Sequence, residues 1–381
     1  MPWPVADRSQ FKILALLIFL FSFGIGLKLA SLKPLWGDEI RSQSSTVNRL
    51  SYGQIFSGRA VSSDEANVCP LFFAIQKAVG DAFSYKLAIP HVDTYIYDAK
   101  SQIIMRLAPN FFISATLALV FFFFARYYSL GAGLFALGMA LSSYSIWAYW
   151  AEARPYAMWI FLTLVQSVLW LRLTAVQANR EKILRWAGLG NYLLALTIFL
   201  GAVQVAIFTG LLVYFKIVDL RQWRKLFWLS GVPLIISVYY YVWAAHHKYI
   251  LTSGWDLLLP GFPLLWLFTC LGAGVLLFQQ RQSAAILTYT GLAAFAAAGL
   301  LGLFKIVSVQ GAPNEVYSRH FLYLAPISLT AVVFLLLQLR SHFQANPWMR
   351  SNMAIIMVGL LITTALHTFV QVSLLEIYNP P

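Results

Sequence analysis

The sequence predicts an all-α polytopic membrane protein with about 11 transmembrane helices, a number that follows from its apolar runs of membrane-spanning length. Of the 381 residues, 60% are hydrophobic and only 11% are charged, and the mean hydropathy is +0.71. Soluble globular proteins do not have this composition, whereas polytopic membrane proteins do. We predict a single transmembrane domain over residues 1–381, with no separate soluble C-terminal domain.

The predicted spans are apolar runs of roughly 17 to 25 residues, the length that crosses a hydrocarbon core. They cover residues 11–31, 107–125, 131–149, 155–173, 187–201, 203–219, 226–245, 262–279, 284–304, 321–339 and 353–372. The division into two spans between Trp186 and Asp219 can be drawn in more than one way. No small-residue cleavage site follows the first run, so we expect it to be retained as the first helix.

The distribution of basic residues predicts the orientation of the chain. With a cytoplasmic N-terminus, 14 of the 27 Lys and Arg residues face the cytoplasm and four lie in short outer loops. The other nine lie in the long first outer loop or, in the case of Lys28, at the adjoining end of the first span. Such a bias is typical of cytoplasmic loops. We therefore expect an integral protein of a bacterial inner (plasma) membrane. The net charge of +13 includes no Arg/Lys-rich tract, so we do not expect nucleic acid as a partner.

The first outer loop, residues 32–106, is too long for a simple connector and is predicted to be an extracytoplasmic catalytic loop. Residues 71–89 are apolar but are interrupted by polar and charged positions. This pattern favours a helix that lies in the membrane interface over one that crosses it. The polar segment 42–67 has spacing for one short amphipathic helix.

Acids, arginines and aromatic residues gather at three predicted outer turns. They are Asp38, Glu39 and Arg41 after the first span, Glu152, Arg154 and Tyr156 between the third and fourth spans, and Tyr317, Arg319 and His320 at the start of the tenth. Segments that lie more than 100 residues apart in the sequence therefore converge on one membrane face.

Carboxylates and guanidinium groups at a membrane surface suit the transfer of a sugar from a polyprenyl phosphate. A carboxylate accepts the proton of the attacking hydroxyl, and arginines stabilise the charge that develops on the leaving phosphate. Each group also has a structural interpretation. Asp38 and Glu39 fit solvated loop acids or a helix N-terminal cap, Glu152 and Arg154 fit an interfacial ion pair, and His320 fits a structural role.

The same residues resemble a known family. The sequence WGDEIR at 36–41 resembles the Asp-Glu-x-Arg signature that follows the first helix of GT-C fold glycosyltransferases, in the branch of the protein O-mannosyltransferases and the lipid A aminoarabinose transferases. The sequence EARPYA at 152–157 is similar to the start of the family's fourth helix. The sequence YSRHFL at 317–322 resembles its late Tyr-x-Arg-Tyr segment. The resemblance covers residues 34–172 well and 315–326 moderately.

This resemblance implies an inverting transferase that moves a sugar from a polyprenyl-phosphate donor to an acceptor hydroxyl on a glycan, lipid or protein, at the extracytoplasmic face. It implies that the catalytic residues are Asp38, as general base, with Glu39 and Glu152. The residues that would bind the donor phosphate are Arg41, Arg154 and Arg319. The substrate pocket would contain Tyr156, Tyr317, His320, Asp64 and Glu65. The one cofactor that the sequence leaves open is a divalent metal ion. It would bind Asp38 and Glu39, although two adjacent acids do not complete a ligand set. Cys69 stands where the aminoarabinose branch has a phosphate-binding lysine, which argues against that donor.

The main alternative is a transporter or flippase of a lipid-linked intermediate. Such proteins tend to carry ionisable groups near the bilayer midplane, on broken helices that are related by internal repeats. This sequence shows neither feature clearly. A third interpretation, a non-catalytic assembly scaffold, does not account for acids and arginines at three outer turns.

Overall fold

The computed structural model describes residues 9–58, 69–86, 98–175, 179–198, 200–240 and 324–342, together with single helical positions between 355 and 366. Of these residues, 85% are helical and none lies in a strand. The prediction of a helical fold is therefore confirmed for the described part of the chain. The number of spans stays a prediction, because several of the proposed spans lie outside these residues.

The described helices are numbered here in chain order. They are α1 (Ser9–Leu32), α2 (Gly37–Ser42), a first π-helical turn (Gln43–Val47), α3 (Tyr52–Ser57), α4 (Pro70–Ala82), α5 (Ala99–Met105), α6 (Leu107–Tyr127), α7 (Leu130–Leu141), α8 (Tyr144–Trp150), α9 (Tyr156–Ala175), α10 (Arg180–Thr197), α11 (Gly201–Tyr214), a 3₁₀ turn (Leu220–Gln222), α12 (Trp223–Leu226), a second π-helical turn (Phe227–Gly231), α13 (Val232–Tyr239) and α14 (Leu324–His342).

Three of these helices, α1, α6 and α9, are long and apolar enough to cross a membrane. They correspond to the predicted spans 11–31, 107–125 and 155–173. Helix α1 has 24 residues, which at 1.5 Å per residue gives about 36 Å and exceeds the thickness of a hydrocarbon core. The apolar helices support membrane association of the chain.

The predicted span 131–149 is divided into α7 and α8. Helix α7 has 12 residues, or about 18 Å, which is too short to cross a bilayer alone. The hydroxyl of Ser142 donates to the Gly138 carbonyl at 2.8 Å, and the Trp147 indole N–H donates to the Leu141 carbonyl at 2.6 Å. Serine side chains compete with the backbone for hydrogen bonds, and Ser142 is the residue that directly follows the end of α7.

The described residues form two compact units. The first contains those of Met1–Leu50, Phe73–Phe161 and Val332–Pro381, and the second contains those of Ser51–Phe72 and Leu162–Ala331. The prediction of one domain over the whole chain stays a prediction. Helices α1, α6, α7 and α8 pack together in the first unit, and α10, α11 and α13 pack together in the second.

Close packing of α1 on α6 depends on a glycine. A Cβ atom at Gly26 would lie 1.7 Å from the Asn110 side-chain oxygen and 2.6 Å from the Trp150 indole nitrogen. The Asn110 amide donates to the Phe23 carbonyl at 2.9 Å, and its oxygen accepts from the Trp150 indole at 3.0 Å. A polar side chain thus joins α1, α6 and α8, as expected of buried polar groups in membrane proteins.

Residues 32–106, the predicted first outer loop, contain short helices in both regions where the sequence predicts one, 42–67 and 71–89. Helix α3 begins after Ser51, whose hydroxyl accepts from Gln54 N–H at 3.3 Å, and ends at Gly58 in the left-handed region (φ 63°). Helix α4 has its proline in the first turn and buries Phe72 and Phe73. It ends at Ala82, earlier than the predicted 71–89.

Candidate functional site

Arg106, at the junction of α5 and α6, is at the centre of the polar cluster in the first unit. Its side chain is fully buried. Nε donates to Glu39 Oε1 at 3.0 Å, and Nη2 donates to Glu39 Oε2 at 2.5 Å. This two-pronged geometry is the strongest that an arginine makes with a carboxylate. It ties α2 to the start of α6.

The same guanidinium also caps the C-terminal end of α1. Nη1 donates to the carbonyls of Ala30, at 3.2 Å, and of Lys33, and Nη2 donates to the Pro34 carbonyl at 2.7 Å. Carbonyls in the last turn of a helix have no partner within the helix and carry partial negative charge. Arg106 satisfies them and fixes the direction in which the chain leaves the predicted first span.

The Glu39 carboxylate accepts four hydrogen bonds. Besides the two from Arg106, the Trp36 N–H donates to Oε2 at 2.9 Å and the Ala153 N–H donates to Oε1 at 2.6 Å. The contact with Trp36 is the acidic half of a capping box at the start of α2. Because a carboxylate has about four lone-pair sites, Glu39 has no acceptor site left for a substrate proton or a metal ion.

The charged state of Glu39 is maintained although the residue is fully buried. Burial alone raises the pKa of a carboxyl group, but the charge and hydrogen bonds of Arg106 outweigh it, with help from the charge of Lys33 and the Ala153 N–H. The net result is a pKa below the usual value for glutamate. Glu39 is therefore an anion at neutral pH.

Apolar residues surround this ion pair and exclude water from it. Leu35, Ile40, Met105 and Ala153 form a buried cluster, and Tyr85 packs against it. The low local dielectric strengthens each hydrogen bond inside the cluster and makes the loss of one partner costly.

Asp38, next to Glu39, has a different environment. Its Oδ2 lies 3.6 Å from Nη2 of Arg154, and its side chain is 39% exposed, whereas that of Arg154 is 1% exposed. Successive residues on a helix point about 100° apart, so Glu39 turns into the protein while Asp38 faces outward. Asp38 combines a fixed cationic neighbour with an accessible carboxylate.

The turn between α8 and α9 supplies the other predicted groups. Glu152 and Arg154 are both buried, and the Arg154 N–H donates to the Glu152 carbonyl at 2.7 Å. The Arg154 guanidinium carbon lies 5.8 Å from the centre of the Tyr156 ring, within cation–π range. The Tyr149 ring lies 5.0 Å from that of Tyr156, so aromatic rings support the arginine.

Lys33 joins this cluster from the end of α1. It is buried, and burial is the main cause that lowers the pKa of its ammonium group, although the negative charges of Glu152 and Glu39 act in the opposite direction.

Arg41 lies on α2 three residues after Asp38, a spacing that puts both on one helix face. Arg41 is exposed.

The structure thus brings together Asp38, Glu39, Arg154 and Tyr156, with Glu152 acting electrostatically on Lys33. Arg41 is exposed on the same short helix as Asp38. The remaining predicted site residues lie outside the described residues. They are Asp64, Glu65, Tyr317, Arg319 and His320.

Two members of the cluster, Arg106 and Lys33, are absent from the sequence-based prediction. Each is a basic residue at the edge of an apolar run, a position that is ordinary for interfacial anchors. Their burial is what distinguishes them from such anchors, and the sequence around them gives no direct signal of it.

A divalent metal ion shared by Asp38 and Glu39, which the sequence left open, does not fit this arrangement, since the Glu39 oxygens already accept four hydrogen bonds. Within the described ranges, no group of three or more His, Cys, Asp or Glu side chains could hold a metal ion. We therefore assign no step to a metal ion at this pair of acids.

Comparison of the chain with protein-family models found no match, and comparison with curated protein sequences found none.

Proposed function

We propose that this protein is an inverting glycosyltransferase that moves a sugar from a polyprenyl-phosphate donor to an acceptor hydroxyl at the extracytoplasmic face of a membrane. The observation that supports this best is the pair of unlike acids at the start of α2. Glu39 is fully engaged by Arg106, whereas Asp38 is 39% exposed and held beside Arg154. A fixed, accessible carboxylate is what a general base requires.

In this proposal Asp38 removes the proton from the acceptor hydroxyl as its oxygen attacks the anomeric carbon. The new glycosidic bond forms while the bond between the anomeric carbon and the phosphate oxygen breaks. The electron pair leaves with the polyprenyl phosphate, which needs no proton from a general acid. Attack from the face opposite the leaving group inverts the anomeric configuration.

Arg154 and Arg41 then have separate roles. Arg154 is buried and its Nη2 lies 3.6 Å from Asp38 Oδ2, so it positions the base. Arg41 is exposed on the same helix face and is the cation that can reach the donor phosphate. Arginine suits phosphate oxygens because its planar fork forms two parallel hydrogen bonds.

The Glu39–Arg106 pair acts on catalysis only through position. It fixes α2 against the end of α1 and, through the Ala153 N–H, fixes the turn that carries Arg154. The base and its cationic partner come from segments more than 100 residues apart. A small displacement of one against the other would therefore disturb their geometry.

The test compares Asp38→Asn with Asp81→Asn in membranes that contain the full chain, a radiolabelled polyprenyl-phosphate sugar and the native acceptors. Asp81 is an exposed acid of the same outer loop, 3.6 Å from Lys77, and serves as the matched control. We expect Asp38→Asn to lower sugar transfer roughly 10²- to 10⁴-fold, the usual contribution of a general base, and Asp81→Asn to leave it nearly unchanged. Wild-type transfer by Asp38→Asn would overturn the assignment.

The same assay separates the enzyme from a transporter. A transferase releases the sugar from its polyprenyl phosphate, so the label moves from the lipid to a new product. A flippase or transporter leaves the donor intact and changes only the side of the membrane on which it is found. Recovery of intact donor as the sole labelled species, with the wild-type protein present, would contradict the proposed reaction.

A further inference from the structure

A second polar region lies in the other compact unit, around the start of α10, the 3₁₀ turn and α12. A cleft of about 510 Å³ is formed there by Glu181 together with the consecutive residues 221–225. We propose that this cleft binds the phosphate headgroup of an anionic phospholipid. This role is distinct from sugar transfer and does not depend on Asp38.

The charge of the cleft favours an anion. Arg221, Arg224 and Lys225 line it, and the only acid among its lining residues is Glu181. Lys225 Nζ lies 2.5 Å from Glu181 Oε1, so this acid is neutralised by one of the three cations. Among the described residues, no ion pair engages Arg221 or Arg224. Two guanidinium groups therefore remain for a phosphate.

The backbone holds these arginines in a defined arrangement. The Asp219 carboxylate accepts from the Arg221 N–H at 2.8 Å and caps the 3₁₀ turn. The Arg224 guanidinium carbon lies 5.5 Å from the centre of the Trp223 ring, within cation–π range. The Trp223 ring thus restricts the position of the Arg224 side chain, which reduces the entropy cost of binding a ligand.

Large exposed side chains in the segment 214–228, which contains most of the cleft residues, indicate a lipid as the source of the phosphate. Trp223 and Trp228 are each 63% exposed, and Tyr214 and Leu220 are each 67% exposed. Tryptophan and tyrosine are enriched at the level of the headgroups, where one end of the ring is in an apolar environment and the other is hydrated. Exposed aromatic residues that alternate with arginines therefore fit a membrane interface better than a water-exposed site for a soluble anion.

Basic segments next to membrane helices attract anionic lipids, and each basic residue near the surface adds to the affinity. The charge pattern of the sequence places Arg221, Arg224 and Lys225 on the cytoplasmic side. Anionic lipids are enriched in the cytoplasmic leaflet of many membranes. The orientation expected from the sequence therefore brings the cleft to the leaflet that contains its ligand.

The experiment titrates the full chain, purified in a neutral detergent, with dioleoylphosphatidylglycerol or dioleoylphosphatidylcholine and measures bound lipid by native mass spectrometry. We expect the wild-type protein to bind phosphatidylglycerol more tightly. The double variant Arg221→Gln/Arg224→Gln should bind it roughly 30-fold more weakly, as expected when two basic residues near the lipid headgroup are lost. Arg221→Lys/Arg224→Lys, which keeps both charges, should retain most of the affinity.

The matched control is Lys12→Gln/Arg126→Gln, which removes the same charge from helices α1 and α6. It should bind phosphatidylglycerol like the wild type, and thermal unfolding of all variants in phosphatidylcholine should be similar. Unchanged phosphatidylglycerol affinity in Arg221→Gln/Arg224→Gln, or an equal loss in the control, would overturn the proposal. Displacement of the lipid by equimolar glycerol 3-phosphate would also overturn it, because the occupant would then be a soluble phosphate.

Discussion

Asp38 and Glu39 are adjacent residues of the same charge that lie in very different environments. The Glu39 carboxylate is buried, accepts four hydrogen bonds and stabilises the junction of α1, α2 and α6. Asp38 has one cationic neighbour at 3.6 Å and contact with solvent. Only the second environment leaves a carboxylate in contact with solvent, as the proposed role of Asp38 as a general base requires.

The first residue-scale prediction concerns the stability that Glu39 provides. Glu39→Gln keeps the size of the side chain but leaves the buried charge of Arg106 without compensation, which typically costs about 3–5 kcal/mol. We expect a marked fall in the midpoint of thermal unfolding in detergent. The control is Asp98→Asn, an exposed N-cap acid that accepts from the Ser101 N–H at 2.9 Å. It should cost much less, because asparagine is an equally good cap. Equal midpoints for Glu39→Gln and the wild type would contradict a stabilising ion pair.

The pH dependence of the same variant gives a second prediction, which follows from the lowered pKa of Glu39. As the pH falls through the usual glutamate value of about 4.3, the unfolded chain takes up a proton before the folded chain does. The stability from Glu39 is therefore complete above that pH and is lost as the pH falls through its lower folded pKa. We expect the thermal unfolding midpoint to fall more steeply with decreasing pH in the wild type than in Glu39→Gln. Parallel curves of midpoint against pH for the two proteins would contradict the lowered pKa of Glu39.

Sequence reasoning identified the acids of this site but not the side chains that organise them. The Asp-Glu pair and the turn at 152–157 stand out because of their position at predicted helix ends. Arg106 lies 67 residues from Glu39, and a single sequence contains no information on which acid a distant arginine meets. The different roles of Asp38 and Glu39 also depend on the direction of the short helix α2, which packing determines.

At the scale of elements, the approach of α1 to α6 determines where the site is built. The small residue Gly26 lets Asn110 reach the Phe23 carbonyl and the Trp150 indole. Sequence analysis predicts both helices within a few residues, because long apolar runs are a strong signal. It does not predict their contact, since α1 has two glycines, Gly24 and Gly26, and only Gly26 lies against α6.

The element-scale prediction is that Gly26→Ala destabilises the protein and Gly24→Ala does not. A Cβ at Gly26 would overlap the Asn110 side chain, whereas a Cβ at Gly24 has no atom within 4 Å outside its own helix. Overpacking of this kind typically costs about 1–3 kcal/mol. The control corrects for the higher helix propensity of alanine. The measurement is the thermal unfolding midpoint of both variants in the same detergent, and equal midpoints would rule out a close contact between α1 and α6 at this position.

At the scale of the whole molecule, hydropathy predicts helices more reliably than it predicts spans. Helices α1, α6 and α9 match predicted spans, whereas the apolar run 131–149 is two short helices with a break at Ser142. Apolarity determines that a segment avoids water. Local hydrogen bonds, such as that from Ser142 to the Gly138 carbonyl, determine whether one continuous helix results.

The orientation of the chain gives the final prediction. The charge distribution predicts that residues 32–106 lie on the extracytoplasmic side and that the segment after α9 lies in the cytoplasm. Arg49 and Lys182 are exposed residues in these two regions. In a chain with Cys69→Ser and Cys270→Ser, a membrane-impermeant maleimide added to intact cells should label Arg49→Cys and not Lys182→Cys. Lys182→Cys should react with the maleimide only after the cells are permeabilised. Labelling of both from outside would contradict the orientation, and with it the extracytoplasmic position of Asp38.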